Sequence, residues 1–204
     1  MKPRLKFIYA PMNSGKSLLL IANAYGLQER GVQFLAMKSA IDDRNNLTTI
    51  SSRCGLSRDC VLIKTDTDVF DVVKNHHAHV IGGLRQILVD EAQFLSEKQI
   101  DQLSDVVDKL GIDVTCYGLR TDFQSHLFPG SKRLFELADE IGEVESSCSC
   151  GDKTIINARI DQNGMIVTDG SQIEIGGEDK YITLCRKCWK KAIENQKQGN
   201  LFAE

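Results

Sequence analysis

Hydrophobic positions along this chain change their spacing in a regular way. Leu5, Phe7, Ile8 and Tyr9 form a short apolar run, as in a buried strand. Leu18, Leu19, Ile21, Ala22 and Tyr25 then recur at helical spacing over 17–30, and Gly31 follows as a stop. Val32 to Met37 reads as a second strand, Asp68 to His77 as a helix, and Gln86 to Val89 ("QILV") as another buried strand. Ser96 to Leu110 is amphipathic at helical spacing and ends on Gly111, after which Asp113 to Tyr117 reads as a strand. Strands alternating with helices build βαβ units, so the pattern predicts an α/β fold: a mostly parallel sheet flanked by helices. Ligands of such sheets sit beyond the carboxyl ends of the strands.

The texture changes near Val144. Residues 144–192 carry two close cysteine pairs, several glycines and the strand-like segments "TIINARI" and "KYITL". This predicts a main unit over 1–143, a small second unit over 144–192, and a loose polar tail over 193–204. The seven cysteines are an odd count, which argues against a disulfide framework. Cys148-x-Cys150 and Cys185-x-x-Cys188 instead suit tetrahedral Zn²⁺ held by four thiolates. A closed four-cysteine site is structural, and its task here is to clamp the two ends of 151–184. Cys54, Cys60 and Cys116 are scattered and receive no role.

Net charge changes the picture only by exclusion. It is −3 with no basic tract, so a protein living on nucleic-acid backbone is disfavoured. No apolar run approaches the roughly 20 residues of a membrane span, and the N-terminus lacks a signal-peptide cleavage pattern. A cytoplasmic protein without membrane or nucleic-acid partners is expected.

Chemistry enters between the first strand and the first helix. "APMNSGKS" comprises Ala10, Pro11, Met12, Asn13, Ser14, Gly15, Lys16 and Ser17. It matches the phosphate-binding loop G-x-x-x-x-G-K-[ST] except at Ala10, which is tolerable if that position needs no positive φ. The context of strand, loop and helix is the one the mechanism requires: backbone N–H groups face anionic phosphates, Lys16 reaches the β and γ phosphates, and Ser17 offers its hydroxyl to Mg²⁺. Without a ligand the same letters make a glycine turn. The strand "ILVDEAQF" ends in Asp90 and Glu91. Asp90 stands where an acid would hold Mg²⁺, and Glu91 could take a proton from an attacking hydroxyl or orient water. The bland alternative is an acid pair at a helix start. Arg44 is either a surface residue or a partner for phosphoryl charge.

Taken together, "APMNSGKS", "IDDR", "DEAQF", "YGLRTDF", the cysteine pairs and "IEIGGEDKYITLCRKC" closely resemble the type II (cytosolic-type) thymidine kinases, from about Leu5 to Lys191. The resemblance implies transfer of the γ-phosphoryl of ATP to the 5′-hydroxyl of thymidine, giving dTMP and ADP. It places the general base at Glu91, a phosphate contact at Arg44, and help with Mg²⁺ at Asp42 and Asp90. It maps the thymidine pocket onto Met12, Phe94, Leu119, Phe123, Phe128 and Tyr181, with Ile173, Ile175 and Gly176 in a lasso over the base. It also implies a homotetramer inhibited by dTTP. Taken singly, each of these aromatic residues also suits ordinary core packing. The rival from another class is a phosphate-loop ATPase acting on nucleic acid, against which stand the acidic charge and the short chain.

Overall fold

The structure is a computed structural model that describes residues 2–41, 48–172 and 180–197. The elements follow in chain order: β1 (Leu5–Tyr9), α1 (Lys16–Glu29), β2 (Phe34–Ser39), β3 (Thr49–Ser51), β4 (Ser57–Asp59), β5 (Val61–Ile63), α2 (Val69–His79) and β6 (Gln86–Asp90). A 3-10 turn (Ala92–Phe94) leads to α3 (Glu97–Leu110), β7 (Asp113–Gly118), α4 (Pro129–Leu137) and β8 (Glu140–Glu143). The chain closes with β9 (Ile156–Arg159), β10 (Tyr181–Leu184) and α5 (Arg186–Lys197).

Six strands form one sheet in the order β5-β2-β6-β7-β1-β8, and every neighbouring pair is parallel. The predicted α/β class is therefore the observed one. Alternation along the strands divides the core. Phe7, Ile87, Val89, Val114 and Cys116 face α2, α3 and α4, in a core with Val73, Leu103 and Leu134. Leu88, Ala36 and Tyr117 face the other side, where α1 contributes Leu20, Ile21, Ala24 and Leu27. Burial pushes the Cys116 thiol far up, so it stays protonated and inert as a core residue.

Local signals set the helix ends. Ser96 caps α3 by accepting from the Gln99 N–H (3.2 Å), and the Gln99 side chain accepts from the Ser96 N–H (3.1 Å), a reciprocal capping box. Gly111 closes that helix in the left-handed region, φ 68°. The strand expected from Val32 begins at Phe34, and the expected helix 68–77 runs from Val69 to His79. The β3–β4 hairpin, β5, α4, β8 and α5 lie outside the predicted pattern. Both ends of the sheet are thus unforeseen strands. The outer one, β8, carries Glu140 facing Lys6 (2.8 Å) and Arg4.

β9 and β10 form a separate antiparallel pair in which Tyr181 opposes Arg159. Ile156, Ala158 and Ile166 make a small core with Trp189 and Ile193 of α5. The helix continues past 193 to Lys197, and Gln196 exchanges hydrogen bonds with the Ile166 backbone (2.9 and 3.2 Å). No helix among the described residues is long and apolar enough to cross a membrane.

α4 meets the 3-10 turn through Gly130. A Cβ on that residue would lie 2.5 Å from the Ala92 carbonyl oxygen and 2.7 Å from that of Leu95. Gly130→Ala should therefore destabilise the fold by about 1–3 kcal/mol, read from urea unfolding. An unchanged midpoint would show that the two elements can separate at no cost.

Candidate active site

Three strand ends meet at one edge of the sheet. β1 runs into the loop 10–15, β6 ends in Asp90, and β7 ends in Gly118, which accepts from the Ala10 N–H (3.2 Å). Ala10 is buried there and is not among the residues with positive φ, so its methyl group fits the loop. Asn13 (φ 63°) and Gly15 (φ 82°) supply the left-handed turns. Gly15 is the N-cap of α1, and no side chain caps that helix, unlike α2 and α3. Its first N–H groups are thus left for an anion.

Lys16 is buried and donates from Nζ to the Pro11 carbonyl (2.9 Å). The Ser14 hydroxyl donates to the Met12 carbonyl (3.3 Å). The Ser17 hydroxyl donates to Asp90 Oδ2 (3.0 Å). Asp90 is only 3% exposed, and its Oδ1 is buried without a hydrogen-bond partner. Burial pushes the Asp90 carboxyl up to about 7; the Glu91 charge adds to this, while Ser17 and Lys16 oppose it. A buried carboxylate oxygen beside a hydroxyl is the donor set that a hard cation such as Mg²⁺ takes.

Adjacent residues on a strand face opposite ways, yet Asp90 and Glu91 both reach this edge. Glu91 makes this possible by leaving the strand in the left-handed region, φ 52°, ψ 39°. Such strain in a non-glycine residue persists only where its surroundings enforce it. Gln93 provides the enforcement: its Nε2 donates to Glu91 Oε2 (2.5 Å) and its Oε1 accepts from the Leu119 N–H (3.0 Å).

A cavity of about 360 Å³ opens beside these groups. It is lined by Met12, Asn13, Gly15, Lys16, Ser17, Glu91, Phe94, Leu119, Phe123, Phe128 and Tyr181, so one space joins the phosphate-loop residues to every expected pocket residue among those described. Phe94 and Phe128 pack edge to face at 5.7 Å. Ala10, Pro11, Ser14 and Asp90 do not line the space. Asp42, Arg44, Ile173, Ile175 and Gly176 lie outside the described residues.

Sequence reading missed three residues here. Gln93 lies inside "DEAQF" but signals nothing by itself. Asn157 on β9 accepts from the Met12 N–H (2.7 Å) and donates to the Thr121 carbonyl (3.2 Å), tying the small sheet to the phosphate loop. Arg53, on the turn of the β3–β4 hairpin, lines the cavity and donates to the Asn13 side chain.

The four cysteines near the β9–β10 pair converge. The Sγ atoms of Cys148, Cys150, Cys185 and Cys188 all lie within 4.8 Å of one another, and those of Cys150 and Cys185 are 3.6 Å apart. Thiolates at about 2.3 Å from a tetrahedral zinc stand roughly 3.8 Å from each other, so the set fits that ion. Burial pushes the Cys148 thiol up, but N–H donors of Cys150 and Cys185 outweigh it and bring the thiol to about 6. The short Cys-x-Cys spacing is accommodated by a tight turn in which Gly151 (φ 91°) donates to the Cys148 carbonyl (2.9 Å).

The family model described as thymidine kinase matches residues 3–189 of the chain. A thymidine kinase of Haemophilus influenzae (strain Rd) is 45% identical over 188 residues, covering 92% of this chain and 96% of that protein. The thymidine kinase of Rhizobium meliloti is 43% identical over 186 residues, 91% and 95% of the two chains. That of Vibrio cholerae is 44% identical over 190 residues, 93% and 98%.

Two outcomes are expected. The folded Asp90 value lies above the roughly 4 of an unfolded aspartate, so this group costs stability increasingly as pH rises from about 4 to about 7. Asp90→Asn should raise the melting temperature of the nucleotide-free protein by at least about 2 °C at pH 8, with the gain vanishing towards pH 4. An equal gain at both pH values would contradict the buried charge. Should the four-cysteine site hold zinc, a chelator should cost residues 156–159 their amide-exchange protection while β1, β6 and β7 keep theirs. Uniform protection before and after would remove the clamp role.

Proposed function

The chain belongs to the thymidine kinase family, and from that premise we propose that it moves the γ-phosphoryl of ATP to the 5′-hydroxyl of thymidine, giving dTMP and ADP. It is an ATP-dependent phosphotransferase. The observation that carries this reading is the single cavity lined by Lys16, Ser17, Glu91 and the apolar walls. A donor and an acceptor can share that space with a base between them.

In this reading the uncapped start of α1 and the loop amides bind the ATP phosphates, and Lys16 leaves the Pro11 carbonyl for them. Ser17 and Asp90 are the residues that would hold Mg²⁺, which when bound neutralises phosphate charge. Glu91 takes the proton of the 5′-hydroxyl as the phosphoryl group moves in line. Gln93 keeps that carboxylate aimed. Met12, Leu119 and Tyr181 offer an apolar niche for the thymine methyl, and Phe94, Phe123 and Phe128 wall the nucleoside. The family resemblance, rather than the described residues, gives Arg44 and Asp42 a role towards phosphate and Mg²⁺ and gives the segment 173–177 recognition of the base edge. Cytosine reverses donor and acceptor on that edge and would leave buried groups unpaired. Covering the nucleoside also excludes water that would hydrolyse ATP.

The same reading extends to zinc in the four-cysteine site, dTTP as a feedback inhibitor, a homotetrameric assembly, a cytoplasmic location and no nucleic-acid partner. The division into 1–143, 144–192 and 193–204 is part of it.

The first test is ADP release from Mg-ATP with thymidine, deoxycytidine or single-stranded DNA. Release with thymidine alone, matched by dTMP, is expected. Stimulation by DNA but not thymidine would turn the reading into that of a nucleic-acid ATPase. Glu91→Gln should bind ATP normally yet lose about 10²- to 10⁴-fold in kcat. Near wild-type turnover in that variant would remove Glu91 from the role of base.

A further inference from the structure

β9 is buried along its whole length, and its two faces differ in chemistry. Ile156 and Ala158 belong to the small hydrophobic core. Asn157 and Arg159 occupy the alternate face and turn to the main unit. Asn157 reaches the Met12 amide and the Thr121 carbonyl. Arg159 is 3% exposed, and its guanidinium carbon lies 3.7 Å from the centroid of the Phe123 ring. Gly170 packs against the same guanidinium: a Cβ there would sit 2.9 Å from Nη2.

Phe123 lines the cavity, and Arg159 does not. The loop that carries Phe123 is braced from both sides. Asp122 Oδ1 accepts from the N–H groups of Gln124 and His126 (2.9 Å each), and the Gln124 side chain donates to the Thr168 carbonyl (2.8 Å). That bracing fixes the loop backbone. The plane of the ring needs a partner of its own, and the flat guanidinium stacked on it supplies one. A desolvated cation over an aromatic face is a strong contact, and a lysine ammonium cannot reproduce the planar stack.

We propose that Arg159 is a positioning residue for nucleoside recognition: it fixes the plane of Phe123, so that the zinc-held sheet sets one wall of the cavity. The proposal rests on the nucleoside-kinase reading above.

The experiment uses Arg159→Met, which keeps length but loses charge and plane, and Arg159→Lys, which keeps charge only. Each is made alone and with Phe123→Ala. KM for thymidine, KM for ATP, kcat, zinc content and melting temperature are measured. Arg159→Met should raise the thymidine KM about tenfold with the ATP KM within about twofold, and Arg159→Lys should fall between it and wild type. In the Phe123→Ala background, Arg159→Met should add less than about twofold, because the ring it acts through is gone. An unchanged thymidine KM, an equal rise in both KM values, or a full effect without the ring would each overturn the proposal. Should Arg159→Met not fold, Arg159→Lys carries the same comparison. A wild-type protein that phosphorylates no thymidine would overturn the underlying reading instead, before any variant is made.

Discussion

One hydrogen bond, from the Ser17 hydroxyl to Asp90, joins the first turn of α1 to the end of β6 across the sheet edge. The rest of the site is arranged around the carboxylate it reaches. Asp90 is buried at the centre of the sheet, with one oxygen bound and the other without a partner. A folded chain seldom tolerates such a group, because the charged form loses its water. Its place here makes sense only if something else enters. The fold therefore carries an electrostatic deficit at this edge of the sheet, and the loop, Lys16 and Glu91 are disposed about it.

Two glutamine and asparagine side chains turn this deficit into a shaped site. Gln93 holds Glu91 in a strained conformation and at the same time fixes the residue after β7. Asn157 fastens the phosphate loop to the separate β9–β10 sheet. Neither carries charge or performs chemistry. Each satisfies two partners from different elements, so removing either would unpair buried backbone groups as well as loosen the geometry.

What could be read in the sequence follows from this division. The strands β1, β6 and β7 are long and apolar enough to show their pattern, and "APMNSGKS" and "DEAQF" advertise chemistry through residues that adjoin in the chain. β5 has only three residues, β8 ("EIGE") has one apolar side chain, and α4 opens on Pro129-Gly130, which reads as a turn. None gives a period to detect. Asn157 contacts Met12 across 145 positions, and the Gln93 bond to Leu119 spans 26, so only the folded chain reveals either. The cysteine pairs lie between these cases: their spacing pointed to a cluster, and the fold brings the four sulfur atoms together.

The two rims of the sheet set a limit on how copies of this molecule can meet. β5 offers three residues, and β8 offers four, the first of which, Glu140, faces Lys6 and Arg4. Rims this short, one of them charged, are poor templates for strand addition. Growth by extending the six-stranded sheet is thereby discouraged, and association of subunits through that layer would fall to its helical faces, where shape and apolar area rather than backbone pairing choose the partner.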